Sequence, residues 1–377
     1  MYIPFNKMHV TKNELSFIDD AIAGGNLAGD GKYSRKCQLF FEESFGFRKC
    51  LMTSSCTDAL EMAAILIDVE PGDEIIMPAF TFVSTANAFV LRGAKPVFCD
   101  SRADHPNMDE SLIESLITRR TKAIVVVHYA GMACKMDVIM DIAQRHNLIV
   151  IEDAAQAVGS YYINDSGVKH PLGGIGHLGT ISFDGQKNVS CGEGGILIVN
   201  DEKFVGRAEI VWQKGTNRTA FFRGEVDKYG WVDIGSNFTM SELNAAFLFA
   251  QLQNLSQIIQ ERQSIWETYA EFFRSVEIDL QLPHVPDWST NNGHIFYLVS
   301  QDEQSRTRLL QEMKSQSIGA LFHYQNLSKS IMGGENSGST PLCNRYADCL
   351  FRLPLYVGID TDEMQKRFRA IPLLHQS

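Results

Sequence analysis

The sequence predicts an α/β protein: a large domain built on a mostly parallel central sheet, then a smaller α+β domain at the C-terminus. Two patterns predict it. Between about residue 50 and about residue 200, short apolar runs of buried-strand length alternate with longer stretches of helical spacing. Beyond a Gly- and Pro-free helical stretch at 241–273, the pattern changes to one interrupted by Pro283 and Pro286. Strands buried on both faces and joined partly through helices belong to parallel sheets, whose ligands sit at the carboxyl ends of the strands.

Taken in order, Thr11-Lys12-Asn13-Glu14 reads as a capping box opening a first helix that ends near Gly24-Gly25. Strands are expected at 74–77, 95–98, 123–128, 148–152, 180–183 and 195–199, and helices at 58–67, 109–117 and 136–146. Residues 241–273 read as one long helix leading out of the large domain. The expected boundaries are therefore 1–250 for the large domain with its N-terminal arm and 251–377 for the smaller one. The smaller domain holds a mostly polar stretch at 287–293 and a loop near 333–340.

Composition narrows the function. The 377 residues carry 34 Lys+Arg against 45 Asp+Glu, a net charge of −11, which argues against a nucleic-acid partner held by general electrostatics. No apolar run approaches the roughly 20 residues that span a bilayer. The start, Met1-Tyr2-Ile3-Pro4-Phe5-Asn6-Lys7, has no basic segment followed by an apolar one, so no membrane anchor or signal peptide is expected. The 8 cysteines include no CxxC pair, and none of the 10 histidines sits in a ligand-like cluster. Reduced packing thiols, a cytoplasmic location and no bound metal are the expectation.

Four local features point to one kind of chemistry. In Thr53-Ser54-Ser55-Cys56-Thr57, small hydroxyl residues open a helix, whose free N–H groups and partial positive charge suit a phosphate; alone, the pattern is equally an ordinary N-cap. In Leu148-Ile149-Val150-Ile151-Glu152-Asp153-Ala154-Ala155-Gln156, a buried strand ends in an acid with Gln three residues later. Such a carboxylate can hold a protonated ring nitrogen while the amide reaches a neighbouring oxygen, although Asp153 capping the next turn is about as common. In Thr180-Ile181-Ser182-Phe183-Asp184-Gly185-Gln186-Lys187-Asn188, with Gly192-Glu193-Gly194-Gly195 after it, a strand gives way to a lysine. A lysine in an apolar cleft loses its proton readily and can form a Schiff base, whereas a lone loop lysine is more often a solvated charge. In Pro78-Ala79-Phe80-Thr81-Phe82-Val83-Ser84-Thr85-Ala86-Asn87-Ala88, an aromatic just after a strand can stack on a flat ring or simply fill the core.

Together with Pro71-Gly72-Asp73-Glu74 and Val127-His128-Tyr129-Ala130-Gly131, these segments resemble, essentially end to end, the DegT/DnrJ/StrS family of pyridoxal-phosphate sugar aminotransferases. The resemblance implies the aspartate-aminotransferase-like architecture of fold type I. It implies Lys187 as the Schiff-base lysine and proton carrier, Asp153 as partner of the pyridinium nitrogen, Gln156 at the ring hydroxyl and Phe82 stacked on the ring. Ser182, with the backbone at Cys56 and Thr57, is implied to hold the phosphate. Asn237, in Gly235-Ser236-Asn237-Phe238, is implied to reach the phosphate of a neighbouring subunit, and so a homodimer with shared active sites. The chain departs from many relatives at Cys56, where Gly is common, and at Asp184-Gly185-Gln186, where His-x-Thr is usual.

Residues 214–218 and 221–229 resemble one subgroup, which aminates C4 of dTDP-4-keto-6-deoxyglucose with L-glutamate. Its products are dTDP-4-amino-4,6-dideoxygalactose or the gluco epimer dTDP-viosamine, for enterobacterial common antigen or O-antigen in lipopolysaccharide biosynthesis. The resemblance makes Arg218, Arg223 and Lys228 candidates for the sugar-nucleotide diphosphate, against the alternative of a solvated basic loop; His323 and Tyr324 are candidates for orienting the hexose. Competing readings are a C3-aminating transaminase, a pyridoxal-phosphate sugar dehydratase, and a non-catalytic regulatory protein on the same fold. The dehydratase branch carries His at the Lys187 position, and a regulatory protein need not keep Lys187, Asp153 and Gln156 together.

Overall fold

The computed structural model of the protein describes residues 2–276, 278–334 and 338–375. Its strands in the first two hundred residues are β1 (Lys49–Thr53), β2 (Glu74–Pro78), β3 (Lys95–Cys99), β4 (Thr121–Val127), β5 (Ile149–Asp153), β6 (Tyr161–Ile163), β7 (Lys169–Pro171), β8 (Leu178–Ser182) and β9 (Gly195–Val199). Seven of them form the central sheet in the order β1-β9-β8-β5-β4-β2-β3, while β6 and β7 pair as a separate ribbon. Only β9 runs against its neighbours; β8, β5, β4, β2 and β3 are parallel. The expected strands all appear, displaced at their ends by a residue or two.

The helices of this part are α1 (Glu14–Ala23), α2 (Lys32–Phe45), α3 (Cys56–Leu66), α4 (Val83–Val90), α5 (Glu110–Leu116), α6 (Met136–His146), α7 (Val205–Trp212) and α8 (Arg218–Phe222). Successive residues of the inner strands feed two different cores. Ile124 and Val126 of β4 pack with Phe41 of α2 and Ile139 of α6. Ala123 and Val125 face the other way, with Leu60 and Ala63 of α3. Each buried Val or Ile is worth about 1.5–3 kcal/mol, so covering both faces is what the unbroken apolar runs demanded.

Two expectations are corrected. Helix α1 begins at Glu14 with Asn13 at its N-cap, and the Asn13 side chain makes no capping bond. Lys12 takes a left-handed backbone (φ 80°), which removes Thr11 from the cap position. Half of the box survives: the Thr11 N–H and hydroxyl both donate to Glu14 Oε1, at 2.7 and 2.9 Å. The single helix expected at 241–273 is two, α9 (Glu242–Leu252) and α10 (Leu255–Ser275). Asn254 Nδ2 donates to the Ala250 carbonyl at 2.9 Å, taking the acceptor that its own N–H would use in a continuous helix.

Beyond α10 lie β10 (Tyr297–Val299), α11 (Glu303–Ser315), β11 (Leu321–Phe322), α12 (Pro341–Cys349), β12 (Leu350–Arg352) and α13 (Thr361–Arg369). β12 is the middle strand of an antiparallel three-stranded sheet, whose buried side is continuous with the core around α3 and α10. Of the loop expected near 333–340, residues 335–337 lie outside the described residues. The N-terminal segment is tied to this region: Ile3 N–H donates to the Ser317 carbonyl and Gly319 N–H to the Ile3 carbonyl, both at 2.9 Å. Among the described residues, no helix is long and apolar enough to cross a membrane.

Candidate active site

The carboxyl ends of β1, β5 and β8 meet along one edge of the sheet, and β9 begins there because it runs the opposite way. Gly195, the first residue of β9, pairs with both Thr53 and Ser182. A Cβ on Gly195 would lie 2.4 Å from the Cys56 nitrogen, so glycine is what allows the chain leaving β1 to cross here and start α3. The Ser55 hydroxyl caps that helix, accepting from Asp58 N–H at 3.0 Å. The first-turn N–H groups of Cys56 and Thr57 have no intrahelical acceptor and can serve an anion. Thr57 Oγ1 donates to Ser84 Oγ at 2.9 Å, and Ser182 ends β8 beside them, its Oγ accepting from Asp184 N–H at 3.3 Å.

Asp153 is the buried last residue of β5. Burial raises its proton affinity, while the Thr85 hydroxyl (2.7 Å), the Ala155 N–H (3.2 Å) and the charge of Lys187 pull the other way. Gln156 is held at both ends. Its Oε1 accepts from Ala130 N–H at 2.6 Å, and its Nε2 donates to Tyr324 Oη at 2.9 Å. Both partners are non-glycine residues with left-handed backbone, Ala130 at φ 57° and Tyr324 at φ 42°. Such conformations cost on the order of 1–3 kcal/mol each and persist only where the surrounding structure over-determines them.

Lys187 follows β8 through a turn organised by Asp184. The Gln186 N–H donates to Asp184 Oδ1 at 3.0 Å and the Lys187 N–H to the Asp184 carbonyl at 2.9 Å. Asp184-Gly185-Gln186 thus forms its own Asx turn, in which Asp184 supplies locally the acceptor that closes the loop. Asn6 Nδ2 pins the turn by donating to the Gly185 carbonyl at 3.0 Å. Among the described residues Lys187 forms no ion pair. Removal from water pushes its ammonium toward the neutral form and Arg352 adds to this, against the opposite pull of Cys56, Asp184 and Asp153.

Lys187, Asp153, Gln156, Ser182, Cys56 and Thr57 line one cavity of about 550 Å³. Phe82, the N-cap residue of α4, stands at it with 54% of its surface exposed and its ring 6.1 Å from that of Tyr324, tilted by 37°. His323 and Tyr324 line it too, their rings stacked at 3.6 Å, with His323 Nδ1 2.9 Å from Tyr129 Oη. Burial drives His323 strongly toward its neutral form. The Cys56 thiol, pushed up to about 12 by burial, stays protonated. This donor set fits pyridoxal phosphate: an amine driven neutral, a buried carboxylate across from it, an anchored amide, and a helix N-terminus beside a serine for a phosphate.

The other candidates lie elsewhere. Asn237, Arg218 and Arg223 line a separate cavity of about 830 Å³, and Lys228 is exposed near it in sequence. Arg223 is held by Glu209 in a two-bonded clamp of 2.9 and 2.8 Å and also pairs with Glu225, so its charge is already matched. Arg218 lies over the Phe222 ring at 5.2 Å. Sequence reasoning missed Thr85 and Arg352 as site residues. Thr85 sits in the first turn of α4, where a hydroxyl gives no signal; Arg352 ends a short strand far along the chain, and only folding brings it to Lys187.

A sequence model of the DegT/DnrJ/EryC1/StrS aminotransferase family matches residues 9–371. The aminotransferase TlmJ from Streptoalloteichus hindustanus is similar with a TM-score of 0.88 and 26% identity, covering 98% of each chain. A DegT/DnrJ/EryC1/StrS aminotransferase from Brucella abortus is similar with a TM-score of 0.85 and 26% identity, over 97% of this chain and 96% of that one. Spr1654 from Streptococcus pneumoniae, in its PLP form, shares the fold with a TM-score of 0.88 and 22% identity over 98% of both chains. With its fold type I architecture and a site suited to the cofactor, the chain belongs to the DegT/DnrJ/EryC1/StrS family and is a pyridoxal-phosphate-dependent aminotransferase.

Proposed function

We propose that the enzyme transfers the amino group of L-glutamate to C4 of dTDP-4-keto-6-deoxy-D-glucose, yielding 2-oxoglutarate and a dTDP-4-amino-4,6-dideoxyhexose for O-antigen or enterobacterial common antigen. The observation that carries the transferase part is Lys187, an amine driven toward neutrality, in one cavity with the buried Asp153. The likeness of 214–218 and 221–229 to the C4-aminating subgroup supports the sugar.

When bound, pyridoxal phosphate supplies an electron sink for the charge left at carbon as its proton departs. Lys187 is the point of covalent attachment and, once released, the base that takes the proton from the donor's α-carbon and returns it along the path. Asp153 places a fixed negative charge against the ring nitrogen. The Gln156 amide, clamped by Ala130 and Tyr324, meets the ring hydroxyl. Phe82 covers the ring face, and Ser182 with the N–H groups of Cys56 and Thr57 holds the phosphate. Among the described residues, Arg352 offers the only guanidinium lining the cavity that holds both Lys187 and Asp153, and it receives a carboxylate of the donor.

Asn237, which lines a different cavity from the Lys187 of its own chain, acts in the site of a second copy. The segment between Lys214 and Asn237 exposes Phe222, Val232 and Trp231, the last at 81%, an apolar surface suited to burial in a homodimer. Arg218 and Lys228, the less engaged cations of this segment, meet the sugar-nucleotide diphosphate, while His323 and Tyr324 orient the hexose above Lys187. Whether the amine enters in the galacto or the gluco sense follows from that orientation.

The test is a visible spectrum of the cofactor-loaded enzyme, before and after L-glutamate and then with the ketosugar. Expected are loss of the long-wavelength band on glutamate and its return on the sugar, with a C4-amino product by mass spectrometry and NMR. A band that ignores glutamate overturns the donor, and a band that fails to return overturns the sugar.

A further inference from the structure

Arg352, the last residue of β12, lines both the Lys187 cavity and a smaller chamber of about 50 Å³ behind it. Among the described residues no Asp or Glu lines that chamber; its walls include Lys187, Arg262, His294 and His323. Arg352 donates through Nη2 to the Phe322 carbonyl at 3.1 Å, and among the described residues its buried Nε has no hydrogen-bond partner and no carboxylate pairs with it. A cation so placed is expensive to keep unless something attractive faces it. What faces it is a ring: the guanidinium carbon lies 4.5 Å from the centroid of Phe5.

A ring face attracts a cation without cancelling its charge, and stacking leaves the in-plane N–H donors free for an anion. A carboxylate at the same place would consume both. Phe5 belongs to a strap fixed at both ends, through Ile3 to Ser317 and Gly319 and through Asn6 to the Gly185 carbonyl two residues before Lys187. Gly319 makes room for it, since a Cβ there would lie 2.8 Å from the Phe5 nitrogen.

We propose that Phe5 is a positioning residue for amino-donor recognition: its ring holds the Arg352 guanidinium beside Lys187 charged and unpaired, so that the donor's carboxylate is the group that pairs with it. The inference rests on the reading of Arg352 as the donor's carboxylate seat. Phe5 shares the wall of the smaller chamber with Lys187 and Arg352, and in this proposal it acts through Arg352.

The experiment compares Phe5→Leu, which keeps apolar bulk but loses the ring face, with Phe5→Tyr, which keeps the face. In cofactor-loaded enzyme, F5L should raise the L-glutamate concentration for half-maximal loss of the visible band about tenfold, and F5Y should stay within about twofold of the parent. The ketosugar half-reaction and the melting temperature should not move. In an Arg352→Gln background, F5L should add nothing further, because its effect passes through the guanidinium. Calorimetric titration of succinate, an unreactive dicarboxylate, should show the same ranking without any turnover. Equal weakening of both half-reactions by F5L, an F5Y as poor as F5L, or succinate binding indifferent to F5L would overturn the proposal. If the parent enzyme ignores L-glutamate but binds succinate in an Arg352-dependent way, the donor assignment fails while the seat stands.

Discussion

Thr85 Oγ1 donates a 2.7 Å hydrogen bond to Asp153 Oδ2, and Thr81 Oγ1 backs it from 2.9 Å. The carboxylate that ends β5 is thus oriented from the first turns of α4, and the bond favours its ionised form against the pull of burial. Thr85→Val removes a hydrogen bond to a charged group, worth about 1.5–3 kcal/mol. Asp153 then protonates more easily, so the acid limb of the pH–rate profile should move to higher pH. An unmoved acid limb would separate Asp153 from the titration that limits turnover.

Asp153 should also cost the apo-protein stability. Its folded-state proton affinity lies above the ordinary value of 3.8, so as pH rises the unfolded chain ionises first and the folded state loses ground. The penalty is absent below that ordinary value and complete above the raised one. Asp153→Asn should therefore raise the melting temperature of the apo-protein at neutral pH, with the gain vanishing in acid. The same change should lower turnover of the loaded enzyme by about 10²–10³-fold, the scale of losing one electrostatic contact in a site. Calorimetry at two pH values with steady-state rates would check both signs.

Lys187→Ala should abolish turnover and the visible band together while leaving the fold intact, since Lys187 forms no ion pair among the described residues. Cofactor capture requires the neutral amine, so its rate should rise with pH through a midpoint below the ordinary lysine value of 10.5. Arg352→Gln removes a charge that helps to keep the amine neutral and should shift that midpoint upward. Stopped-flow absorbance across pH reads the shift, and a downward move would contradict the assigned electrostatics.

The proposed sharing of active sites between subunits predicts complementation. Subunits carrying Lys187→Ala should be inactive alone and subunits carrying Asn237→Ala weak, because one lacks the amine and the other the residue it lends. Mixed and reassociated, they should recover part of the parent activity in hybrid dimers with one intact site. No recovery in verified hybrids would assign Asn237 to its own chain.

How far the fold was legible depended on how local its causes are. Helix α6 occupies the residues its periodicity indicated, and the parallel strands stand where unbroken apolar runs stood. That Asp153, Gln156 and Lys187 share one cavity was legible because each stands at, or a few residues beyond, the end of such a strand. The break at Asn254 was not, since residues 241–273 keep helical spacing throughout and a single side-chain bond to the Ala250 carbonyl interrupts the ladder.

Charge was the least local property of all. The basic segment 214–229 offered three candidates for the diphosphate, Arg218, Arg223 and Lys228, yet Glu209 from α7 clamps Arg223 and alters what it can bind. Arg352 ends the short strand β12, and it faces Phe5 from the opposite end of the chain. By itself the sequence determined the strand–helix order and the chemical types gathered at the strand ends, because hydrophobic period and strand termini are properties of neighbouring residues. The tertiary structure alone decided which charges are matched and which stay free, because a buried group's counterpart is whatever folding brings within a few ångströms of it, at any distance along the chain.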